Sequence, residues 1–185
     1  MRLYMGLVHY PVYNKDHERI ASALTTLDLH DLARLARTYG VKRFFIITSL
    51  EDQQSLAERI LNHWRCGYGA EYNPDRKEAL QKVHVVPSLE EAMDFINQGE
   101  GTPPMMIGTD ASDTGNRAIS YEELRPIIQN NDTVMLVFGT AWGLHEEMLN
   151  TMDRVLVPIK GLNGYNHLSV RTAAAIILDR LVSQT

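Results

Sequence analysis

Short apolar runs alternate with amphipathic segments along this chain. Six runs rich in β-branched or aromatic residues predict strands: residues 2–8, 41–48, 82–86, 104–109, 133–138 and 153–157. Four stripes at helical spacing predict helices: Leu32, Leu35, Ala36 and Tyr39; Leu56, Ala57, Ile60, Leu61 and Trp64; Leu89, Ala92, Met93 and Ile96; Val170, Ala174, Ile177 and Leu181. Strands that alternate with helices favour an α/β fold with a mostly parallel sheet.

Hydroxyl side chains followed by an acid three residues later mark helix starts, because the two side chains can cap each other's backbone N–H groups. Such pairs are Thr25 with Asp28, Ser49 with Asp52, and Ser88 with Glu91. Ser120 and Glu123 form a similar pair, but Pro126 follows within the same stretch, where it would clash with the preceding turn. We expect that helix to be short, or to begin near Pro126.

Composition narrows the class of protein. A chain of 185 residues, 44% apolar and 22% charged, is suited to one domain over residues 1–185. No apolar run reaches the length of a membrane span, and the first residues do not form a signal peptide, so we expect a cytoplasmic protein without membrane contact. Cys66 is the single cysteine, which excludes an internal disulfide framework and a cysteine zinc cluster.

Charge and histidine spacing exclude further classes. A formal net charge of -5 argues against a general polyanion-binding protein, so any RNA contact has to come from local clusters. The seven histidines lack the spacings of metal-binding motifs, and we expect no metal site.

Three predicted strands end in polar, glycine-bearing segments: "GTDASDTGNRAIS", "GTAWGLHEE" and "PIKGLNGYNHLS". Ligands of open α/β sheets collect at the carboxyl ends of the strands, and glycine lets the backbone approach a ligand closely. One such segment alone is typical of a connecting turn. Three together favour a nucleotide-like ligand.

The usual phosphate-binding motifs are missing. The chain has no Gly-x-x-x-x-Gly-Lys-Ser/Thr, and its first predicted strand is followed by "HYPVYNKD" instead of a Gly-x-Gly-x-x-Gly turn. A ligand held mainly by backbone amides and carbonyls fits better. S-adenosylmethionine (SAM), an adenosine with a charged methionine arm, is such a ligand.

The C-terminal third, "VMLVFGTAWGLHEEM" followed by "DRVLVPIKGLNGYNHLSVRTAAAIILDRL", resembles the SPOUT superfamily of SAM-dependent RNA methyltransferases. Upstream, "LDLHDLARLARTYGVKRFFIIT" is similar to the first SpoU-type motif, in which an arginine stands six residues before a glycine. Here these residues are Arg34 and Gly40. The chain looks like a small, free-standing bacterial catalytic domain of this superfamily.

The resemblance implies a six-stranded, largely parallel sheet flanked by helices, a deep C-terminal trefoil knot and a homodimer. It also implies that SAM is bound by Thr109, Asp110, Gly139, Thr140, Gly143, Ile159, Gly161, Asn166, His167, Leu168 and Ser169. The chain departs from the SpoU pattern at two places. Ala141 and Trp142 occupy the loop where the family has an acid, and Asp28, or loosely Asp31, aligns with the usual asparagine.

The resemblance makes Arg34 the catalytic candidate, as a fixed guanidinium that stabilises a developing alkoxide or holds a phosphate. His30 and Arg37 share its helix face and are candidates for substrate binding. Without the resemblance, the same stripe is typical of a solvated cationic face with an ion pair between Asp31 and Arg34.

Residues 62–77 mix aromatic and basic side chains around two glycines. We expect Trp64 in the core, and Arg65, Tyr68 and Arg76 in a flexible loop as RNA contacts. Trp142 is expected either to stack on the adenine or to pack at a dimer interface.

The predicted function is methylation of a ribose 2′-hydroxyl in tRNA or rRNA, with SAM as cofactor. Two alternatives stay open: a base-directed RNA methyltransferase, and a non-catalytic domain that binds SAM or another adenosine ligand and acts as an interaction partner.

Overall fold

A computed structural model describes residues 1–112 and 115–183. Its strands are β1 (Arg2–Val8), β2 (Val12–Tyr13), β3 (Arg19–Ile20), β4 (Arg43–Ile47), β5 (Val83–Val86), β6 (Met105–Thr109), β7 (Ala118–Ile119), β8 (Thr133–Gly139) and β9 (Arg154–Leu156). Seven of them form one parallel sheet in the order β5-β4-β1-β8-β6-β9-β7, and β2 pairs with β3 in an antiparallel hairpin.

The helices are α1 (Thr26–Thr38), α2 (Glu51–Arg65), α3 (Tyr68–Tyr72), α4 (Pro74–Leu80), α5 (Leu89–Glu100), α6 (Tyr121–Gln129), α7 (Glu146–Asn150) and α8 (Val170–Val182). A 3-10 turn spans Gly115–Arg117. Each of the six predicted strands and four predicted helices corresponds to one of these elements, so the α/β prediction is confirmed. The expected count of six strands in the sheet is wrong, because the two-residue strand β7 adds to the edge of β9.

Both faces of the sheet are buried. Along β1, Leu3, Met5 and Leu7 enter one apolar cluster, and Tyr4 and Val8 enter the other. Side chains of α1, α2, α4, α6 and α8 complete the first cluster, whereas α5 covers the second. This two-sided burial explains why the central strands are almost continuous apolar runs. Within the residues that the structure describes, no helix combines the length and apolar character needed to cross a membrane.

Helix starts agree with the capping pairs in three of four cases. The hydroxyls of Thr25, Ser88 and Ser120 each accept a hydrogen bond from the backbone N–H three residues on. Ser120 and Glu123 form a complete capping box, so α6 begins before Pro126 and contains it. The expectation of a short helix is confirmed at nine residues, and the later start is wrong.

The Ser49 capping pair is also wrong. Helix α2 begins after Leu50, with no side-chain cap. Instead, the buried Thr48 hydroxyl accepts a hydrogen bond from the Leu50 N–H, 3.4 Å away, and the Thr48 carbonyl accepts one from the Gln54 side chain at 2.7 Å. These two contacts shape the turn that the capping pair was expected to form.

The segment after α2 is not the flexible loop expected from its glycines. It forms the short helices α3 and α4, and the side chain of Asn73 caps α4 by accepting from the Arg76 N–H at 2.9 Å. Trp64 packs against the core cluster, as predicted.

Candidate active site

The three glycine-bearing segments lie side by side, because they follow β8, β6 and β9, which are consecutive in the sheet. The side-chain amide of Asn166 donates to the carbonyl of Ala111 at 2.6 Å, which joins the segment after β9 to that after β6. A Cβ placed on Gly143 would lie 3.7 Å from Oδ2 of Asp110, so the segment after β8 also adjoins that after β6. The structure therefore brings the predicted cofactor segments together at one edge.

We call residues 139–145 the β8 loop. It folds back on itself at Gly139, where an added Cβ would lie 2.5 Å from the Leu144 nitrogen. Gly143 has φ +106°, a value that favours glycine. These two glycines are required by the shape of the turn itself, which is a more specific reason than sequence alone provided.

The β8 loop is also bonded to the β2–β3 hairpin. The Tyr13 N–H donates to the Gly143 carbonyl at 3.1 Å, and the Trp142 N–H donates to the Tyr13 carbonyl at 3.1 Å. Val12 and Leu144 form an additional antiparallel bridge. The Trp142 side chain is 61% exposed and therefore does not anchor the loop.

Thr140 is the buried member of the predicted cofactor set, at 8% exposure. Its hydroxyl lies 2.9 Å from the Val8 carbonyl and 2.5 Å from the Ser22 hydroxyl. The side chain therefore points into the protein, towards the end of β1. Any contact of Thr140 with a cofactor has to come from its backbone.

The segment after β9 is mostly exposed. A Cβ on Gly161 would overlap the carbonyl oxygen of Tyr165, so this turn also requires glycine. Ile159 packs against the core, and the ring of His167 lies edge-on to Tyr165 with centroids 5.5 Å apart. The Leu168 N–H donates to the Asn166 carbonyl at 2.9 Å.

Two further predicted cofactor residues have their side chains engaged within the protein. The Ser169 hydroxyl caps α8 by accepting from the Thr172 N–H at 3.3 Å. The Thr109 hydroxyl donates to the Val137 carbonyl at 3.0 Å, across from β6 to β8. Their cofactor roles, like those of the other nine assigned residues and the catalytic role of Arg34, stay predictions.

Arg34 is exposed on α1 and makes no hydrogen bond or ion pair with the described part of the chain. The ion pair with Asp31 that a merely solvated face would contain is not formed. Asp31 instead lies 3.5 Å from Nε of Arg171, whose Nη1 is 2.6 Å from the buried Asp28. Sequence reasoning missed Arg171, since 143 residues separate it from Asp28.

His30 and Arg76 meet at Trp64. The guanidinium carbon of Arg76 lies 4.4 Å from the centre of the Trp64 ring, and His30 contacts that ring edge-on with centroids 5.5 Å apart. Burial lowers the pKa of His30, and the positive charges of Arg76 and Arg34 lower it further. The imidazole is therefore neutral near pH 7, and it can donate or accept a hydrogen bond but carries no charge for a phosphate.

Arg65 requires a correction. Its guanidinium donates to the Leu80 carbonyl through Nε at 3.1 Å and Nη2 at 2.9 Å, and also to the Val83 carbonyl. Arg65 therefore joins the end of α4 to β5 and is not a free RNA contact. The sequence around Arg65 does not distinguish these roles, since the paired N–H groups of a guanidinium bind backbone carbonyls as well as a phosphate.

The remaining two substrate candidates are on the surface. Arg37 pairs with Glu78 of α4 at 2.5 Å, so RNA would have to compete with a carboxylate for its guanidinium. Tyr68 is 73% exposed and stacks on the equally exposed Tyr72, with ring centroids 6.1 Å apart. This pair presents an uncovered aromatic surface.

In residues 1–112 and 115–183, no three or more His, Cys, Asp or Glu side chains are grouped to hold a metal ion.

Comparison with known families decides the class. A family model described as "SAM-dependent RNA methyltransferase" matches residues 2–183. The chain belongs to this family. Membership confirms SAM as cofactor and RNA methyl transfer as the type of reaction, and it favours the enzyme over a non-catalytic binding domain.

Two relatives of this methyltransferase differ in length. A protein of Oleidesulfovibrio alaskensis named "tRNA (guanine-N(1)-)-methyltransferase" is 46% identical over 180 residues, which are 97% of this chain and 42% of that protein. The chain thus spans about two fifths of that relative. An uncharacterized protein of Aquifex aeolicus is 40% identical over 183 residues, 98% of this chain and 89% of its own length.

Solved structures share the fold. The SpoU methyltransferase AviRb of Streptomyces viridochromogenes superposes with a TM-score of 0.59 at 17% identity, covering 98% of this chain and 59% of AviRb. The methyltransferase therefore has the SpoU-type α/β fold that the resemblance implied. The trefoil knot and the homodimer stay predictions.

Proposed function

We propose that this methyltransferase transfers the methyl group of SAM to a ribose 2′-hydroxyl of tRNA or rRNA. The proposal is carried by the way α1, the helix with Arg34, is attached to the predicted cofactor segments. Arg171, in the first turn of α8, binds Asp28 in the first turn of α1. Ser22, just before α1, touches Thr140 in the β8 loop. Both contacts hold the Arg34 helix beside the predicted cofactor segments.

The reaction needs alignment more than covalent help. The 2′-oxygen attacks the methyl carbon opposite the sulfur; the O–CH₃ bond forms, the S–CH₃ bond breaks, S-adenosylhomocysteine leaves, and the hydroxyl proton passes to solvent. Holding the two reactants in line supplies much of the acceleration. The role proposed for Arg34 is to stabilise the developing alkoxide or to hold an adjacent phosphate through its paired N–H groups.

A guanidinium is a poor general base. Removing its proton at pH 7 would cost at least about 7 kcal/mol, at 1.36 kcal/mol per pKa unit. The proposed role of Arg34 is therefore electrostatic.

Cofactor binding is assigned to the eleven residues of the three adjoining segments, with backbone groups as the main contacts at Thr140 and Ser169. Gly139, Gly143 and Gly161 fit this role, because their tight turns favour glycine, and a residue without a side chain lets the backbone approach a ligand closely. Thr109, Asp110, Ile159, Asn166, His167 and Leu168 complete the set.

RNA binding is assigned to a surface made by Arg37, Tyr68, Arg76 and the neutral His30. Exposed tyrosines and a guanidinium stacked on Trp64 suit unpaired bases and the nearby backbone. In a homodimer two copies of this surface on one face would bind RNA locally, although each chain has a net charge of -5. The proposed substrates, tRNA and rRNA, are in the cytoplasm, where we expect the protein to act.

A second candidate is methylation of a guanine base in tRNA, favoured by the name of the Oleidesulfovibrio relative. That name describes a protein of which this chain matches 42%. The two candidates differ in the acceptor atom and hence in the product nucleoside.

The test is tritium transfer from labelled SAM to bulk tRNA and rRNA of a strain that lacks the gene, followed by mass mapping of nucleosides. A 2′-O-methylated product blocks alkaline cleavage of its phosphodiester bond, whereas a base-methylated product does not. Cleavage at the modified nucleotide would establish the base-directed candidate. Binding of S-adenosylhomocysteine without any transfer to RNA would contradict both.

A further inference from the structure

Three polar side chains, those of His9, Ser22 and Thr140, form a hydrogen-bonded series at the β8 loop. His9, immediately after β1, is fully buried, and its Nδ1 lies 3.1 Å from the Ser22 hydroxyl. The Ser22 hydroxyl is 2.5 Å from that of Thr140, which is 2.9 Å from the Val8 carbonyl. The proposed function uses only the contact between Ser22 and Thr140 and gives His9 no role.

The Val8 carbonyl, at the end of this series, determines the direction of the hydrogen bonds within it. The Val8 carbonyl can only accept, so the Thr140 hydroxyl donates to it and must accept from Ser22. The single Ser22 proton is directed to Thr140 at 2.5 Å and not to the His9 carbonyl, which lies 3.5 Å away, so the Ser22 hydroxyl accepts from Nδ1–H of His9. His9 is therefore neutral, with its proton on Nδ1.

Two other observations agree with this assignment, the first with the neutral charge and the second with the tautomer. Burial lowers the pKa of His9 to about 4, so the imidazole is uncharged at neutral pH. Its Nε2 is buried and has no hydrogen-bond partner among the described residues. With the proton on Nδ1, Nε2 is an unpaired acceptor, and a buried unpaired acceptor is more common in proteins than a buried unpaired N–H.

We propose that His9 and Ser22 are positioning residues, which hold Thr140 and the β8 loop in register with the start of α1. Ser22 is suited to this because its own N–H donates to the His9 carbonyl at 2.8 Å, which fixes its backbone at the end of β1. This hydrogen-bonded series thus joins the end of β1, the residues just before the Arg34 helix and the proposed SAM-binding segments. The inference rests on the proposed cofactor role of the β8 loop.

The test measures the tautomer and the ligand affinity separately. In the wild-type protein, ¹⁵N NMR is expected to show His9 protonated on Nδ1 alone. In Ser22→Ala the Nδ1 partner is removed, and we expect a mixture of tautomers. The affinity for S-adenosylhomocysteine, measured by calorimetry, should fall about fivefold, the equivalent of one net hydrogen bond.

Two variants serve as controls. Ser22→Thr keeps a hydroxyl and is expected to retain the Nδ1 tautomer and most of the affinity. Ser55→Ala removes an exposed serine of α2 that takes no part in the contacts among His9, Ser22 and Thr140, and it should change neither measurement.

Each outcome has a distinct meaning. Protonation of Nε2 in the wild-type protein would overturn the inference, even if Ser22→Ala fails to fold. So would a folded Ser22→Ala protein whose affinity for S-adenosylhomocysteine is within twofold of wild type. Failure of the wild-type protein to bind S-adenosylhomocysteine would instead contradict the proposed function, and the tautomer of His9 would still be measurable.

Discussion

Nη1 of Arg171 lies 2.6 Å from Oδ1 of Asp28, which connects the first turns of α8 and α1. Asp28 is 6% exposed, and its other oxygen accepts from the Thr25 hydroxyl at 2.5 Å. Inside the protein, one oxygen of this carboxyl group therefore contacts a guanidinium and the other contacts a hydroxyl. This pair connects the last predicted cofactor segment to α1, the helix that carries Arg34.

Arg171→Ala is expected to lower the free energy of unfolding by about 2 kcal/mol, because a buried carboxylate loses its charged partner. Urea denaturation measures this. Arg59→Ala, which removes an exposed arginine of α2, should stay within about 0.5 kcal/mol of wild type. Equal losses in the two variants would show that the Asp28 contact contributes nothing specific.

Arg34→Lys is expected to keep the affinity for S-adenosylhomocysteine and to reduce methyl transfer by about a hundredfold. Lysine preserves the charge but not the planar pair of N–H donors, and losing one donor to a developing oxyanion costs this much in known enzymes. Calorimetry and tritium transfer measure the two quantities, with Arg59→Lys as the control. An unchanged transfer rate would remove Arg34 from the mechanism.

Gly139→Ala is expected to weaken binding of S-adenosylhomocysteine at least about tenfold. The added Cβ would lie 2.5 Å from the Leu144 nitrogen and 2.7 Å from the Gly143 carbonyl carbon, so the β8 loop must open to admit it. Loss of backbone contacts to the ligand follows.

Gly99→Ala is the matched control, since nothing lies within 4 Å of its Cβ in α5. It should raise the free energy of unfolding by up to about 1 kcal/mol through helix propensity and leave affinity unchanged. If both alanine variants bind normally, the β8 loop does not contact the cofactor.

His9 is expected to make stability depend on pH. Its pKa is lowered from 6.5 to about 4 in the folded protein, so the unfolded chain binds a proton first as the pH falls. The stabilisation from the neutral His9 is complete above about pH 6.5 and is lost between there and about pH 4, up to about 3 kcal/mol.

Urea denaturation at several pH values tests this dependence. His30 and His84, whose pKa values burial also lowers, act in the same direction, so the contribution of His9 is the difference between wild type and His9→Asn. The exposed His17, with φ +58°, is replaced by asparagine as control, a residue that tolerates this conformation. A wild-type slope that persists in His9→Asn would contradict the assignment.

The sheet was predictable because its strands are buried on both faces and form apolar runs. The short strands β2, β3 and β7 have only two residues each, and partners distant in sequence hold β7, so no local pattern identifies it. Helices α3 and α4 were not predicted from the sequence for a related reason. Gly67 and Gly69 favour a loop, yet Gly69 packs so closely on Trp64 that a Cβ would lie 2.7 Å from its ring.

The adjacency of the three glycine-bearing segments was predictable, because the carboxyl ends of neighbouring parallel strands meet at one edge. The hydrogen-bond partners inside that edge were not. Thr140 has the residue type of a ligand contact, but its hydroxyl is used by Val8 and Ser22, which are 132 and 118 residues away. Hydrogen bonds between residues so far apart in sequence depend on the complete fold, and no short sequence motif predicts them.

The backbone hydrogen bonds between Tyr13 and residues 142–143 make the β8 loop, in effect, a third strand of the β2–β3 hairpin. The length of this loop is therefore constrained as strictly as that of a strand, and an inserted residue would shift its register. The outward side chain of Trp142 carries no such constraint. Position 142 is thus a place where the side chain can vary while the backbone of the β8 loop stays in place.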